Sequence, residues 1–385
     1  MSANAIALFG IALSHWVVDI SGGFVSPLLP LFAEKFSLSL ALVGILVSIL
    51  NVADGLTQPI FGYLGDRIKR PIFLTFTPFL VSLGTGLLGI SPSYGILALF
   101  LVIAGLGRSA FHPQGAASIA QYAGRKRALG LSVFMAAGNI GFAMGPILAT
   151  VLVSCLGLSG TLAYLPLGLL ATGFLYLSVL RDPSFRPSSW TPLTFRDVLK
   201  EIGRSRGAFL RLWLIVVLRS FTYFTLFAFL PVFLAQKGLS TLQTGFITSF
   251  FFLGGAIGGI MGGWIAEKIN ERFVIATSLG LAFPLFQLAL TVSGITSTAL
   301  LMAGGFCLVS STPVTISLGQ RYAPGSAATA SSLLLGLGWG TGGLLVGAVG
   351  ALADRIGVIG AMRIQELCLL LAFVFALGLY VPEED

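Results

Sequence analysis

The amino-acid sequence predicts an all-α membrane protein of twelve transmembrane helices in two pseudo-symmetric six-helix bundles. Three observations carry that prediction. Of the 385 residues, 56% are hydrophobic and 9% are charged, against about 25% charged in a typical soluble domain. The apolar residues fall into runs close to the roughly 20 residues that cross a bilayer. The second half of the chain also repeats landmarks of the first at an offset near 200.

In order, the first six runs lie near 5–30, 39–64, 72–90, 94–121, 128–155 and 158–180. Six more lie near 208–234, 241–266, 273–292, 296–320, 327–352 and 358–381. The first run has no Lys or Arg before Lys35 and contains His15, Asp19 and Pro27, which suits a membrane span better than a signal peptide. The longest connector is basic and contains Pro183, Pro187 and Pro192. It divides the chain into an N-terminal bundle (1–180), a linker (181–207) and a C-terminal bundle (208–385). The spans leave no room for a separate soluble domain.

An even number of spans puts both termini on one face. Sixteen of the 22 Lys and Arg residues fall in connectors on that face, and the opposite connectors hold only Lys35, Lys237 and Arg355. Positive charge marks the cytoplasmic side, so both termini are expected in the cytoplasm. The net charge of +8 therefore orients the protein in a lipid bilayer and does not call for nucleic acid.

The repeat is visible in paired landmarks. Pro30 matches Pro231, Phe32 matches Phe233, and Leu38 matches Leu239. Gly44 meets Gly245, Gly62 meets Gly263, Pro113 meets Pro313, and Gly138 meets Gly338. Two parallel halves related by an axis along the membrane normal suit a transporter that rocks about a central site.

The stretch "GYLGDRIKR" (62–70) resembles the loop pattern G-x-L-x-D-R-x-G-R-[KR] of the major facilitator superfamily, through Gly62, Leu64, Asp66, Arg67 and Arg70. A weaker second copy, "GWIAEKINER", occupies 263–272. The resemblance implies the major facilitator fold, with Gly62, Asp66, Arg67 and Arg70 as a conformational latch. "GNIGFAMGPI" (138–147) partly resembles the antiporter signature of the superfamily's drug exporters. Gly141, Gly145 and Pro146 fit as a smooth, kinked helix face, while Ala149 and Thr150 stand where paired glycines are expected. "SHWVVDISGGFVSPLLPLF" and "FHPQG" look most like the fosmidomycin-resistance-type exporters. That resemblance implies a proton-driven efflux protein of a bacterial inner membrane.

Polar residues inside apolar spans are expensive and usually face a cavity or a partner. His15 and Asp19 are spaced i, i+4 in the first span, as are Arg108 and His112 in the fourth, so each pair shares a helix face. Counting about 1.5 Å per residue from the span ends puts Asp19 level with Arg108, and His15 level with His112. Asp54, Asn139 and Arg219 fall near the same depth. If the first and fourth spans line the central cavity, as the resemblance implies, these seven residues form a proton-coupling and substrate-binding set. The repeat positions in the second half are Val216 for His15, Ser220 for Asp19 and Thr312 for His112, so the titratable groups concentrate in the first half. Arg363 and Glu366, spaced i, i+3, read as a structural pair. The aromatics at Phe221, Tyr223, Phe224, Phe227, Phe250, Phe251 and Phe252 could form an apolar drug surface, but most read as lipid-facing.

No phosphate-binding loop, metal-ligand spacing or nucleophile–base arrangement occurs, so neither an enzyme nor a cofactor or metal is expected. Cys155, Cys307 and Cys368 show no pairing pattern and read as small packing residues. With no ATPase domain, the energy source is an ion or solute gradient. The reading that results is a secondary transporter, functional as a monomer. It exchanges protons for a small amphipathic or drug-like compound by alternating access. The alternative is a proton symporter or uniporter for a small metabolite, anionic metabolites included.

Overall fold

The computed structural model describes residues 3–68, 70–182, 206–323, 330–331 and 333–382. Most of the linker, 183–205, lies outside the described residues, with its Arg186, Arg196, Lys200 and Arg204. Among the described residues, 12 helices are long and apolar enough to span a membrane. They are α1 (Asn4–Lys35), α2 (Leu40–Gly65), α3 (Ile72–Ile90), α4 (Tyr94–Ala123), α5 (Leu129–Leu156) and α6 (Leu158–Leu180). Then follow α7 (Arg206–Gln236), α8 (Thr241–Ala266), α9 (Glu271–Ala289), α10 (Gly294–Tyr322), α11 (Leu333–Ile356) and α12 (Val358–Leu377). Each matches one of the twelve runs expected from the sequence.

The chain divides into two compact units. The first comprises residues 1–37, 49–190 and 238–249. In it, Ile11, Val18, Leu74, Val81, Phe111, Leu175 and Val179 form one buried cluster. The cluster takes residues from α1, α3, α4 and α6, so α1 is enclosed by its neighbours. The second unit comprises residues 38–48, 191–237 and 250–385. There α7 packs on α11 and α12, and α9 packs on α10 and α12. Within this second unit, the Asp354 carboxylate accepts from the backbone N–H groups of Leu40 (2.8 Å) and Ala41 (3.0 Å). It thereby satisfies two donors that the first turn of α2 leaves without helical partners.

The repeat holds contact by contact. Pro113 lies against Gly62, and Pro313 lies against Gly263; a Cβ added to either glycine would stand 3.7 Å from the proline ring. Lys35 Nζ donates to the carbonyls of Gly89 and Ser91, and Lys237 Nζ donates to that of Val292. The break between α5 and α6 is made by Gly157 (φ +67°), and that between α11 and α12 by Gly357 (φ +83°). Both φ values favour a residue without a Cβ. The α2 helix widens to π geometry over Val52–Leu56, which aims Asp54 off the regular helical register. Such widened turns often mark functional positions.

Candidate functional site

The polar residues of the first unit meet in two groups. In the first, Asp19 stands between two histidines. Its Oδ2 lies 3.1 Å from His15 Nε2, and its Oδ1 lies 3.0 Å from His112 Nε2. The i, i+4 spacing on α1 brings His15 over Asp19, and α4 supplies His112. His15 is 3% exposed. Its ring stacks on Phe134 at 3.8 Å between centroids, and its Nδ1 lies 2.7 Å from the Phe134 carbonyl oxygen. Gly138 of α5 closes this pocket. A Cβ there would fall 2.6 Å from Asp19 Oδ2 and against the His15 ring.

The hydrogen count at this group is decisive for its chemistry. A carbonyl only accepts, so His15 Nδ1 carries a hydrogen for Phe134. In the neutral ring, Nε2 is then a lone pair aimed at a carboxylate oxygen 3.1 Å away. Two acceptors that close repel unless a positive species lies between them. One added proton, on His15 Nε2 or on Asp19 Oδ2, completes the group. The ligating atoms of His15, Asp19 and His112 also lie within 4.8 Å of one another, near enough together to hold a metal ion. Asp19 Oδ1 already hydrogen-bonds His112 Nε2 directly, at 3.0 Å.

In the second group, Arg108 holds Asp54. Its Nη2 lies 2.9 Å and its Nε 3.1 Å from Asp54 Oδ2. The depth count had placed Arg108 level with Asp19, and the structure corrects that pairing. Helix rise places a Cα, but the arginine's long stem carries its guanidinium to another neighbour. The π-widened turn of α2 presents Asp54 as that neighbour. Beside the pair, Thr57 Oγ1 donates to Ser109 Oγ at 2.7 Å and ties α2 to α4.

The rest of "FHPQG" also has work. Pro113 packs on Gly62, and Gln114 Oε1 accepts from the Leu74 backbone N–H at 2.7 Å. That N–H belongs to the first turn of α3, where it has no helical acceptor.

Of the other expected site residues, Asn139 is half-buried beside Gly138 and makes no hydrogen bond among the described residues. Gly141 and Gly145 face α1 so closely that an added Cβ would meet the backbone of Trp16 or of Ile20 and Phe24. Pro146 lies against Gly23. In the loop motif, the Arg67 guanidinium stacks over the Tyr63 ring at 4.1 Å, and Arg70 is exposed. The side chain of Asp66 lies outside what is described.

In the second unit, Arg219 is 2% exposed. Its Nη1 donates to Thr312 Oγ1, and its guanidinium sits over the Trp339 ring at 5.5 Å. The aromatics here overturn the lipid-facing expectation. Phe224, Phe227, Phe251 and Phe252 are buried, and only Phe250 of the seven is well exposed. The Arg363–Glu366 pair is also absent among the described residues. Glu366 is buried and accepts from Gln287 Nε2 at 2.8 Å, while the Arg363 side chain is exposed. A three-residue step leaves about 60° between side chains on a helix, enough for one to face α9 and the other to face outward.

Sequence reasoning missed Phe134 and Trp339, whose roles depend on tertiary position. Thr312 had a signal, being the repeat position of His112.

The Major Facilitator Superfamily profile matches residues 11–347. The chain belongs to the Major Facilitator Superfamily. It is a secondary transporter in a membrane and not an enzyme. Within the superfamily, it is 26% identical over 382 residues to the fosmidomycin resistance protein of Escherichia coli strain K12, covering 98% of this chain and 92% of that protein. It is 28% identical over 381 residues to the uncharacterized MFS-type transporter YfnC of Bacillus subtilis strain 168, covering 96% and 90%. Its fold matches a bacterial homolog of the human lysosomal transporter Spinster in an inward-facing, unoccupied conformation. There the TM-score is 0.79 at 18% identity, over 98% of this chain and 96% of that one.

Proposed function

We propose that this transporter is a proton-coupled antiporter that exports a small amphipathic compound by alternating access, with Asp19 at the centre of the proton site. The observation that carries the reading is the hydrogen count at Asp19: the group is complete with one added proton and is an anion facing a lone pair without it. A buried carboxylate whose surroundings alternate between two states takes up a proton in one and gives it up in the other.

Two further features support the reading. The α5 seam against α1 is lined by Gly138, Gly141 and Gly145. At Gly141 and Gly145 the helix that carries His15 and Asp19 meets α5 backbone to backbone, and in this reading α1 shifts along that seam. In addition, Gly62, Asp66, Arg67 and Arg70 match the superfamily's loop pattern, and in this reading they latch one side shut. The similarity to a fosmidomycin resistance protein supports export, and the asymmetry of basic residues supports cytoplasmic termini in a bacterial inner membrane. In this reading, one chain holds a whole site and works as a monomer.

The test is proton movement in proteoliposomes carrying an imposed pH gradient, with cationic, neutral and anionic compounds added in turn. Counterflow of protons and compound, lost in Asp19→Asn, is the expected result. Protons and compound moving in the same direction would make the protein a symporter. Full coupled flux in Asp19→Asn would remove Asp19 from the mechanism.

A further inference from the structure

Among the described residues, each unit holds one deeply buried arginine, and the two are partnered differently. Arg108 presents Nε and Nη2, one edge of its guanidinium fork, to a carboxylate, Asp54. In Arg219 the same edge is unfilled. Nη1 is taken by Thr312, Nε is buried with no acceptor, and no hydrogen bond to Nη2 or ion pair to the guanidinium occurs among the described residues. A charge held inside a membrane protein without a counterion is strongly unfavourable.

A second donor lies beside it. Trp339 Nε1 is buried and has no acceptor, while its ring carries the Arg219 guanidinium. Around them are flat apolar surfaces. Tyr223 packs against Phe224, Phe251, Phe252 and Trp339 with centroids 5.4–5.9 Å apart. A planar fork of donors with an empty edge fits a planar oxyanion, and the rings fit a flat hydrocarbon body.

We propose that Arg219 and Trp339 anchor the carboxylate of the transported compound, an organic monoanion whose flat apolar body lies against Tyr223 and Phe224. The proposal deepens the exporter reading by naming a substrate class, and it rests on that reading only in taking the ligand to be the cargo. Arg108 differs in that its own carboxylate, Asp54, fills the matching edge and only its Nη1 is buried without an acceptor.

The experiment is equilibrium binding to the purified full-length protein, with four probes: benzoate, benzamide, benzylammonium and acetate. Benzoate should bind best. Benzamide is neutral, benzylammonium carries the opposite charge, and acetate lacks the body. Arg219→Gln should weaken benzoate by about thirtyfold or more, as expected when one partner of a buried charged pair is removed. Arg219→Lys, which keeps the charge and loses the fork, should fall between. Trp339→Phe, which removes one N–H and keeps the ring, should weaken benzoate and leave benzamide unchanged. Thr312→Val tests the bland role: if Arg219 only ties α7 to α10, this variant unfolds more readily and binding is absent throughout. Equal binding of benzoate and benzamide, no benzoate binding, or wild-type benzoate binding by Arg219→Lys and Trp339→Phe each overturns the proposal. The outcomes separate from those for proton exchange. Arg219-dependent benzoate binding without proton movement keeps the anion site and sinks the exchange reading. Coupled flux of a cation with no benzoate binding does the reverse.

Discussion

Arg219 donates to Thr312 across a separation of 93 residues, and Asp19 meets His112 across the same separation. Thr312 is the repeat position of His112, and Arg219 stands one residue before Ser220, the repeat position of Asp19, so the two contacts are neighbours in the repeat, on α7 and α10 in one case and α1 and α4 in the other. One architecture has thus been given opposite charge: an acid with two histidines in the first unit, a cation with a hydroxyl in the second. The proposed proton and carboxylate therefore have separate anchors of opposite sign. A shared anchor would make them compete at one point, whereas separate anchors allow either order of binding and release.

The Asp54–Arg108 pair gives a stability prediction. The Arg108 side chain is 6% exposed and Asp54 28%. Asp54→Asn leaves a buried guanidinium without its counterion and should cost about 3 kcal/mol, the low end for a broken buried pair because Asp54 is partly open. Asp54→Asn combined with Arg108→Gln removes both charges and should recover much of that loss. Thermal unfolding of the purified single and double variants measures it. Strictly additive losses would show that the pair is not coupled.

How much of this was legible in the sequence follows the range of each interaction. Apolar run length fixes a membrane helix locally, so all twelve spans could be read from the chain alone. The repeat could be read as well, because glycines and prolines such as Gly62 with Gly263 and Pro113 with Pro313 recur at a nearly constant offset. The set of embedded polar residues was legible because each is costly in hydrocarbon. Their partners were not. Arg108 was matched to Asp19 by depth, but a long side chain on a π-widened neighbour obeys reach rather than depth. The burial of Phe224, Phe251 and Phe252 was hidden for a related reason. In a chain that is apolar on every face, hydrophobicity no longer distinguishes the inside of the protein from its lipid face.

His15 gives a prediction about coupling. Its Nδ1 is committed to the Phe134 carbonyl, so the ring holds a proton for Asp19 only as the imidazolium. His15→Asn keeps a donor for Phe134 and removes the second ring nitrogen, which faces Asp19. The variant should fold, and it should move fewer protons per substrate than the wild type. The measurement is proton-to-substrate stoichiometry in proteoliposomes. An unchanged stoichiometry would leave His15 a packing residue.

Gln114 gives a prediction about positioning. It is 8% exposed, and its Oε1 fills the buried Leu74 N–H. Gln114→Ala strands that donor and should cost about 1–3 kcal/mol. Gln114→Glu keeps the acceptor, adds negative charge at a helix N-terminus and should be milder. Hydrogen exchange at the first turn of α3 reads the effect locally. If exchange there is unchanged in Gln114→Ala, the hydrogen bond does not secure the turn.

The glycine seam gives the sharpest contrast. Adding a Cβ at Gly141 would press it into the Trp16 carbonyl, and at Gly145 into the backbone around Ile20 and Phe24. Backbone cannot rotate away as a side-chain tip can. Gly141→Ala and Gly145→Ala should therefore each destabilise the protein, by about 1–3 kcal/mol for overpacking, and should slow transport in whatever protein folds. Gly173 is the control, since nothing lies within 4 Å of an added Cβ there and it sits inside α6. Gly173→Ala should stabilise by roughly 0.5–1 kcal/mol through helix propensity alone. Thermal unfolding of the three variants, with flux measured on each, decides the matter. If all three behave alike, the α1–α5 approach is looser than the backbone contacts imply, and the seam cannot be what lets α1 shift.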